Sequence, residues 1–253
     1  MKIKGKEMNI LDLDLDFFQN GRITQCFGSN IGNVTAWSQS DVIDYIENNL
    51  NLKGKKRPGR IFLKHDKAFF FWRDLISKNK LQFPFHIDHV DAHSDLCIGY
   101  GNPDWVPFMN QYMNQYYANR QNFPLSGMNE GNYLCYAIAK KWISSLNFIF
   151  NDTDKTYNGQ DYSHLIMENF DTNGNKIQLR GFVNLIGSET DCPVDMKRKI
   201  KNTDPPVPFC RIPGSQFRSN IDYDFVNLSI SPQYIDKKSI KHVKVFARYI
   251  DFL

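Results

Sequence analysis

Phe85-His86-Ile87-Asp88-His89-Val90-Asp91-Ala92-His93-Ser94-Asp95 begins as an apolar run and ends with Asp91, His93 and Asp95 alternating with small residues. Side chains two apart share a face of an extended chain, so these three can converge where a strand opens into a loop. A second ladder, Asp12-Leu13-Asp14-Leu15-Asp16, follows Met8-Asn9-Ile10-Leu11 and runs into Phe17-Phe18. Alone, such a ladder reads as a solvated face or a helix cap. Its alternation with Leu11, Leu13, Leu15 and Phe17, which have to be buried, and the histidine in the other ladder favour a site. Carboxylates crowded in a compact fold raise one another's pKa values unless a cation lies among them. Oxygen ligands with an imidazole suit Mn, Fe, Co or Zn better than Ca or Mg.

Around these ladders the pattern alternates strand and helix. A buried strand is expected at about 8–17, and a helix through Asp41–Glu47 capped by Ser38 or Ser40. Arg60–Lys64 reads as a strand, Lys67–Ile76 as an apolar helix with His65 at the junction, and Pro84 introduces the strand that ends at Asp91. Later elements are a helix over Glu130–Trp142, a short strand Asn147–Phe150, an extended segment Lys176–Ile186, a strand Phe225–Ser231 and a helix around Gln233–Lys241. This order predicts an α/β fold, a mostly parallel sheet with helices on both faces, in which ligands bind at the carboxyl ends of strands. Asp14, His65 and Asp91 all fall at such ends.

The chain has 253 residues, 42% hydrophobic and 14% aromatic, which predicts one domain over 1–253. No stretch approaches the roughly 18 to 20 apolar residues of a membrane span, and Met1–Glu7 lacks the apolar segment of a signal peptide, so a cytoplasmic protein with no membrane partner is expected. Five cysteines without a CxxC pair read as reduced thiols. A net charge of +4, with Lys53–Arg57 and Lys197–Lys199 as loop clusters, does not indicate a nucleic-acid partner. A homo-oligomer stays open. The stretch Cys97–Met128 reads as a long irregular loop beside the site.

At these residues the chain resembles the arginase/deacetylase superfamily. Asp91-Ala92-His93-Ser94-Asp95 resembles the DAHxD box of ureohydrolases, Asp14-Leu15-Asp16 their DxD box, and His65 their lone histidine ligand. With Glu130–Leu134 and Leu228–Pro232, the likeness is closest to a branch that includes bacterial peptide arginases, which convert arginine in ribosomally made peptides to ornithine. The DxD box precedes the DAHxD box, as in a circular permutation of the ordinary arginase order. The resemblance implies two Mn2+ (Fe, Co or Zn as alternatives) held by Asp14, Asp16, His65, Asp91, His93 and Asp95. An alternative register uses Asp12 with Asp14.

The resemblance further implies a manganese-dependent hydrolase that releases urea from an arginine-containing precursor peptide. Activity should rise with pH through neutrality, because a metal-acidified water attacks the guanidinium carbon. Glu130, with Asp91 and His93, is a candidate catalytic residue, and Glu130, Asn132 and Glu189 are candidate substrate contacts. A helix-start glutamate is the plain reading of Glu130. His89 reads as a histidine behind the ligands rather than a ligand. Ser229 and Ser231 are substrate contacts or helix initiators. Competing readings are a zinc-dependent deacetylase or amidohydrolase of the same superfamily and a non-catalytic metal-binding maturation partner.

Overall fold

The computed structural model describes residues 6–21, 34–97, 125, 127–153, 159, 167–168, 176–182, 200–202 and 206–253. In chain order these form β1 (Asn9–Asp14), β2 (Gln19–Asn20), β3 (Thr35–Ala36), α1 (Gln39–Asp44), β4 (Arg57–Phe62), α2 (Asp66–Ser77), β5 (Phe85–Asp91) and α3 (Tyr133–Ala139). They continue with β6 (Ile143–Phe150), β7 (Met167–Glu168), β8 (Lys176–Phe182), β9 (Ile200–Asn202), β10 (Val207–Pro213), β11 (Phe225–Ser229), α4 (Val243–Phe246) and β12 (Ile250–Phe252).

The main sheet runs β12-β4-β11-β1-β5-β6-β10-β8-β7, with β9 also paired to β8. From β12 to β10 every neighbour is parallel, and β8 and its partners extend the sheet antiparallel. β1 lies at the centre. The chain then forms β4 on one side of it and β5 on the other, and β11 later fills the gap beside β1. A crevice opens beyond the strand ends where the winding direction changes in this way.

The two-residue period of the strands sorts side chains between two cores. Ile10, Phe85, Ile87 and Phe225 pack with Ala68, Phe69, Trp72 and Leu75 of α2 and with Tyr133, Leu134, Ala137 and Ile138 of α3. Leu11, Leu13, Val90, Val226 and Leu228 face the other way, onto Val42, Tyr45 and Ile46 and onto Val245 and Phe246 of α4. The result is three layers, as the sequence pattern predicts. By the same parity Asp12, Asp14, His89 and Asp91 stand on the α2/α3 face, and His86 and Asp88 on the opposite one. There Asp88 accepts from His86 Nε2 (2.9 Å), Asn147 Nδ2 (2.7 Å) and Tyr223. His86 therefore takes no part in the ladder that follows it.

Several boundaries differ from the sequence pattern. β4 begins at Arg57 rather than Arg60 because β12 pairs with Arg57–Gly59, a partner nearly two hundred positions away that Pro58-Gly59 does not advertise. β6 is longer than Asn147–Phe150 because its first residues pair with β5. Instead of a helix around Gln233–Lys241, a tight turn precedes a 3-10 segment, Lys237–His242, capped by Asp236, whose side chain accepts from Lys238 N. Ser38 caps α1 as expected, accepting from Asp41 N. Among the described residues no helix is long and apolar enough to cross a membrane.

Gly59 sets how closely β4 approaches β11. A Cβ there would stand 1.8 Å from the Val226 carbonyl oxygen, an atom held in the sheet. Gly59→Ala is therefore expected to destabilise by about 3 kcal/mol or more, measurable by urea unfolding; a change below about 0.5 kcal/mol would contradict the pairing of β4 with β11.

Candidate metal centre

The polar cluster lies at the carboxyl ends of adjacent central strands. Asp14 ends β1, Asp91 ends β5, Ser229 ends β11, and His65 follows β4 at the start of α2. Immediately after β1 the chain tightens into a 3-10 turn, Leu15–Phe17, capped by Asp14, whose Oδ1 accepts from Asp16 N at 3.1 Å. That turn brings Asp16 beside the loop after β5, where its Oδ1 accepts from Ala92 N at 3.2 Å and its Oδ2 lies 2.9 Å from His93 Nδ1. Asp91 Oδ1 accepts from His93 N at 2.7 Å, and Asp95 adopts a left-handed backbone (φ 51°) that returns its carboxylate toward the strand end.

Among the described residues, four groups of three have donor atoms within 4.8 Å of one another: Asp14, His65 and Asp91, and Asp16, Asp91 and His93, which share Asp91, together with His89, Asp91 and Asp95, and Asp12, His65 and His89. Asp95 joins the first. Nδ1 of His65 lies 3.2 Å from Asp14 Oδ2, 2.9 Å from Asp91 Oδ2 and 3.0 Å from Asp95 Oδ2. None of these contacts has hydrogen-bond geometry, so the buried His65 Nδ1 and Asp95 Oδ2 have no hydrogen-bond partner. Donor atoms that converge without bonding one another fit a cation placed between them. Their chemistry, carboxylate oxygens with imidazole nitrogens, fits a first-row divalent ion.

Asp12 is not in that set. Its carboxylate is fully buried and accepts from His65 Nε2 (3.1 Å), His89 Nδ1 (3.0 Å), the Tyr133 hydroxyl (2.5 Å) and Asn227 Nδ2. Asn227 is in turn held by Trp72, whose Nε1 donates to its Oδ1 at 3.1 Å. A carboxylate only accepts, so the histidine nitrogen facing Asp12 carries the proton and the other His65 nitrogen is free to ligate. Asp12 thus lies behind His65, grouped with His65 and His89, while Asp14 and Asp16 each lie beside Asp91. His89 spans the interior, from Asp12 to the His93 carbonyl at 3.2 Å, and its Nε2 also comes within 3.4 Å of Asp91. It braces the ligand loop from behind.

The electrostatics report missing positive charge. Burial, then the neighbouring Asp16 charge, pushes Asp14 up to about 6. Burial and the Asp16, Asp95 and Asp14 charges raise Asp91 well above the carboxylate range, and burial raises Asp95. Burial would depress His65, but the surrounding carboxylates, Asp12 first, outweigh it and raise its pKa well above the ordinary value. Asp12 and Asp16 go the other way, since their histidine partners overcome burial.

The remaining candidates separate. Glu130 stands at the rim, three residues before Tyr133, and accepts from Gln233 Nε2 at 3.0 Å. Asn132 is fully buried; its Oδ1 accepts from Asn129 N (2.8 Å) and its Nδ2 donates to the Gly127 carbonyl (3.0 Å), so its amide shapes the turn that presents Glu130 rather than facing the crevice. Ser231 donates to Asp14 Oδ2, which makes it a support of a ligand, and the Ser229 hydroxyl is buried without a hydrogen-bond partner. Glu189 and most of Cys97–Met128 lie outside the described residues. Tyr133, Asn227 and Tyr234, whose ring packs on His93 at 5.1 Å, had no local signal in the sequence; their parts depend on pairing and packing with distant segments.

No family model matches the chain, and no curated protein or solved structure matches it.

Asp12→Asn should lower manganese affinity about 10- to 100-fold by loosening both histidines, read by metal titration with the fold monitored by circular dichroism; unchanged affinity would remove Asp12 from this role. A second expectation concerns pH. In the metal-free fold the raised Asp14, Asp91 and Asp95 retain protons that the unfolded chain has released, so their contribution to stability is lost as pH rises from 3.8 through the raised values, about 6 for Asp14. His65, also raised, contributes with the same sign. The rise in melting temperature on adding Mn2+ should accordingly grow from about pH 4 to about pH 7. A rise independent of pH would contradict an ion held by these carboxylates.

Proposed function

We propose that the chain is a manganese-dependent hydrolase of the arginase/deacetylase-like type, acting on the guanidinium of arginine residues in a precursor peptide to give ornithine and urea. The observation that carries this reading is the pair of ligand sets sharing Asp91, four carboxylates and two histidines at the carboxyl ends of adjacent parallel strands. The formal charge of those carboxylates offsets two divalent ions. The motif resemblance supplies the substrate class, and the order of the two boxes along the chain matches a permuted arrangement, which a parallel sheet tolerates because the site depends on which strand ends adjoin.

Ions bound there would supply an acidified water and polarise the carbon under attack. The chain's own groups do the rest. Asp14 and Asp91 are anchored by Ser231 and by the His93 amide, so the ligand oxygens are set in place before substrate arrives. Glu130, held by Gln233, would accept guanidinium N–H groups and pass a proton to the departing ornithine amine. Water adds to the guanidinium carbon, the bond from that carbon to the side-chain nitrogen breaks, and protonated ornithine and neutral urea leave, so atoms and charge balance. A zinc deacetylase needs only one Asp-His-Asp set; the additional set of Asp16 and His93 with Asp91 favours the two-ion reading.

Manganese-saturated protein is expected to hold about two ions per chain and to release urea from an arginine-containing precursor peptide, with His93→Ala reducing release by more than about a hundredfold. One ion per chain, or full activity in His93→Ala, would count decisively against the pair. Efficient urea release from free arginine with every tested peptide left intact would confine the chemistry to the free amino acid.

A further inference from the structure

Three segments that hold the metal cluster also meet at one rim. Lys64 precedes His65, Glu130 leads into Tyr133, and Gln233 and Tyr234 follow Ser231. Glu130 is supported on one side by Gln233 Nε2 at 3.0 Å. The turn that carries Gln233 is itself fixed. Ser231 donates to Asp14, Tyr234 N donates to the Ser231 carbonyl at 2.9 Å, and Gln19 both donates to the Tyr234 carbonyl (2.8 Å) and accepts from Asp236 N (3.2 Å). On its other side Glu130 meets Lys64, whose Nζ lies 3.5 and 3.4 Å from the two carboxylate oxygens. The Lys64 side chain is 54% exposed, that of Glu130 24%.

We propose that Lys64 is a resident counter-ion of Glu130, displaced when a cationic substrate side chain enters; that the incoming cation is a guanidinium rests on the function proposed above. The two partners of Glu130 differ in kind. Gln233 comes from a pinned turn at normal hydrogen-bond distance, whereas Lys64 makes a long contact from a flexible, half-exposed side chain, the weak class of surface ion pair. A guanidinium presents two parallel N–H groups to a carboxylate, where an ammonium is a point charge with no matching fork. Exchange therefore trades a loose pair for a two-point one, and Lys64 returns to water. Between substrates Lys64 keeps the rim carboxylate neutralised, and a neutral side chain of the same shape gains nothing by displacing it. Lys64 is thus a specificity device rather than a catalytic residue.

The test uses N-acetyl-arginine methylamide and its neutral citrulline analogue with the full-length, manganese-loaded protein, comparing wild type, Lys64→Gln, Glu130→Gln and the double variant. Urea release gives KM and kcat for the arginine probe, and calorimetry gives Kd for the citrulline probe. Lys64→Gln is expected to lower the arginine KM about two- to fivefold, the change falling on KM rather than kcat, while citrulline binding does not move; in the Glu130→Gln background, where turnover is lost, Lys64→Gln is expected to leave the calorimetric Kd for the arginine probe unchanged. An arginine KM that is unchanged or raised in Lys64→Gln, or an equal shift for citrulline, overturns the exchange while leaving the hydrolase reading intact. If no urea is released from the arginine probe, from free arginine or from a precursor peptide, the hydrolase reading fails; wherever the probe is not turned over, the same comparison is made on its calorimetric Kd, where the same outcomes decide for or against exchange.

Discussion

A carboxylate buried at the centre of the sheet, Asp12, has four donors around it, and the site is organised from that point. Left unpaired, such a charge would be strongly destabilising; surrounded by His65, His89, Tyr133 and Asn227 it becomes the fixed anion to which four separate segments are tied. Each donor comes from a different part of the chain: the start of α2, the interior of β5, the first turn of α3 and β11. One interaction therefore sets the orientation of the His65 imidazole toward Asp14, Asp91 and Asp95, braces the loop after β5 through His89, and docks the helix that follows Glu130.

The parity of the strands makes this possible. Asn227, Asp12 and His89 lie in register across β11, β1 and β5, forming one polar row on the α2/α3 face. One step toward the strand ends, Ser229, Asp14 and Asp91 form the next row on that face, beside Asp16, His93 and Asp95. The first row is enclosed by Trp72, Tyr133 and Phe148 and is fully satisfied; the second is short of positive charge, as the raised pKa values of Asp14 and Asp91 show. The interior row is thus neutralised while the outer one crowds carboxylates together, an arrangement that a cation would complete. On the other face, the His86-Asp88 pair is closed by Asn147 and Tyr223, so histidines three positions apart in one strand serve different layers.

Sequence by itself determined the α/β class, the strand end at Asp91 and the residue types of the cluster, because alternation and turn chemistry are local and the two Asp ladders each span a few residues; the strand expected at about 8–17 instead stops at Asp14, where the 3-10 turn Leu15–Phe17 begins. It left the register of Asp12, Asp14 and Asp16 open, since alternate positions on a strand share a face and nothing local says which carboxylate is overlaid by donors from elsewhere. Tertiary structure decided that Asp12 is the enclosed hub while Asp14 and Asp16 lie beside Asp91, because Asn227, His65 and Tyr133 arrive from as far as 215 residues away. The same long-range pairing decided that β4 starts at Arg57 and that Lys64, Glu130 and Gln233 share a rim. Contacts between segments distant in sequence carry no periodicity for a local pattern to reveal, and the parallel sheet, which can join its strands only through long crossovers, builds its site almost entirely from such contacts.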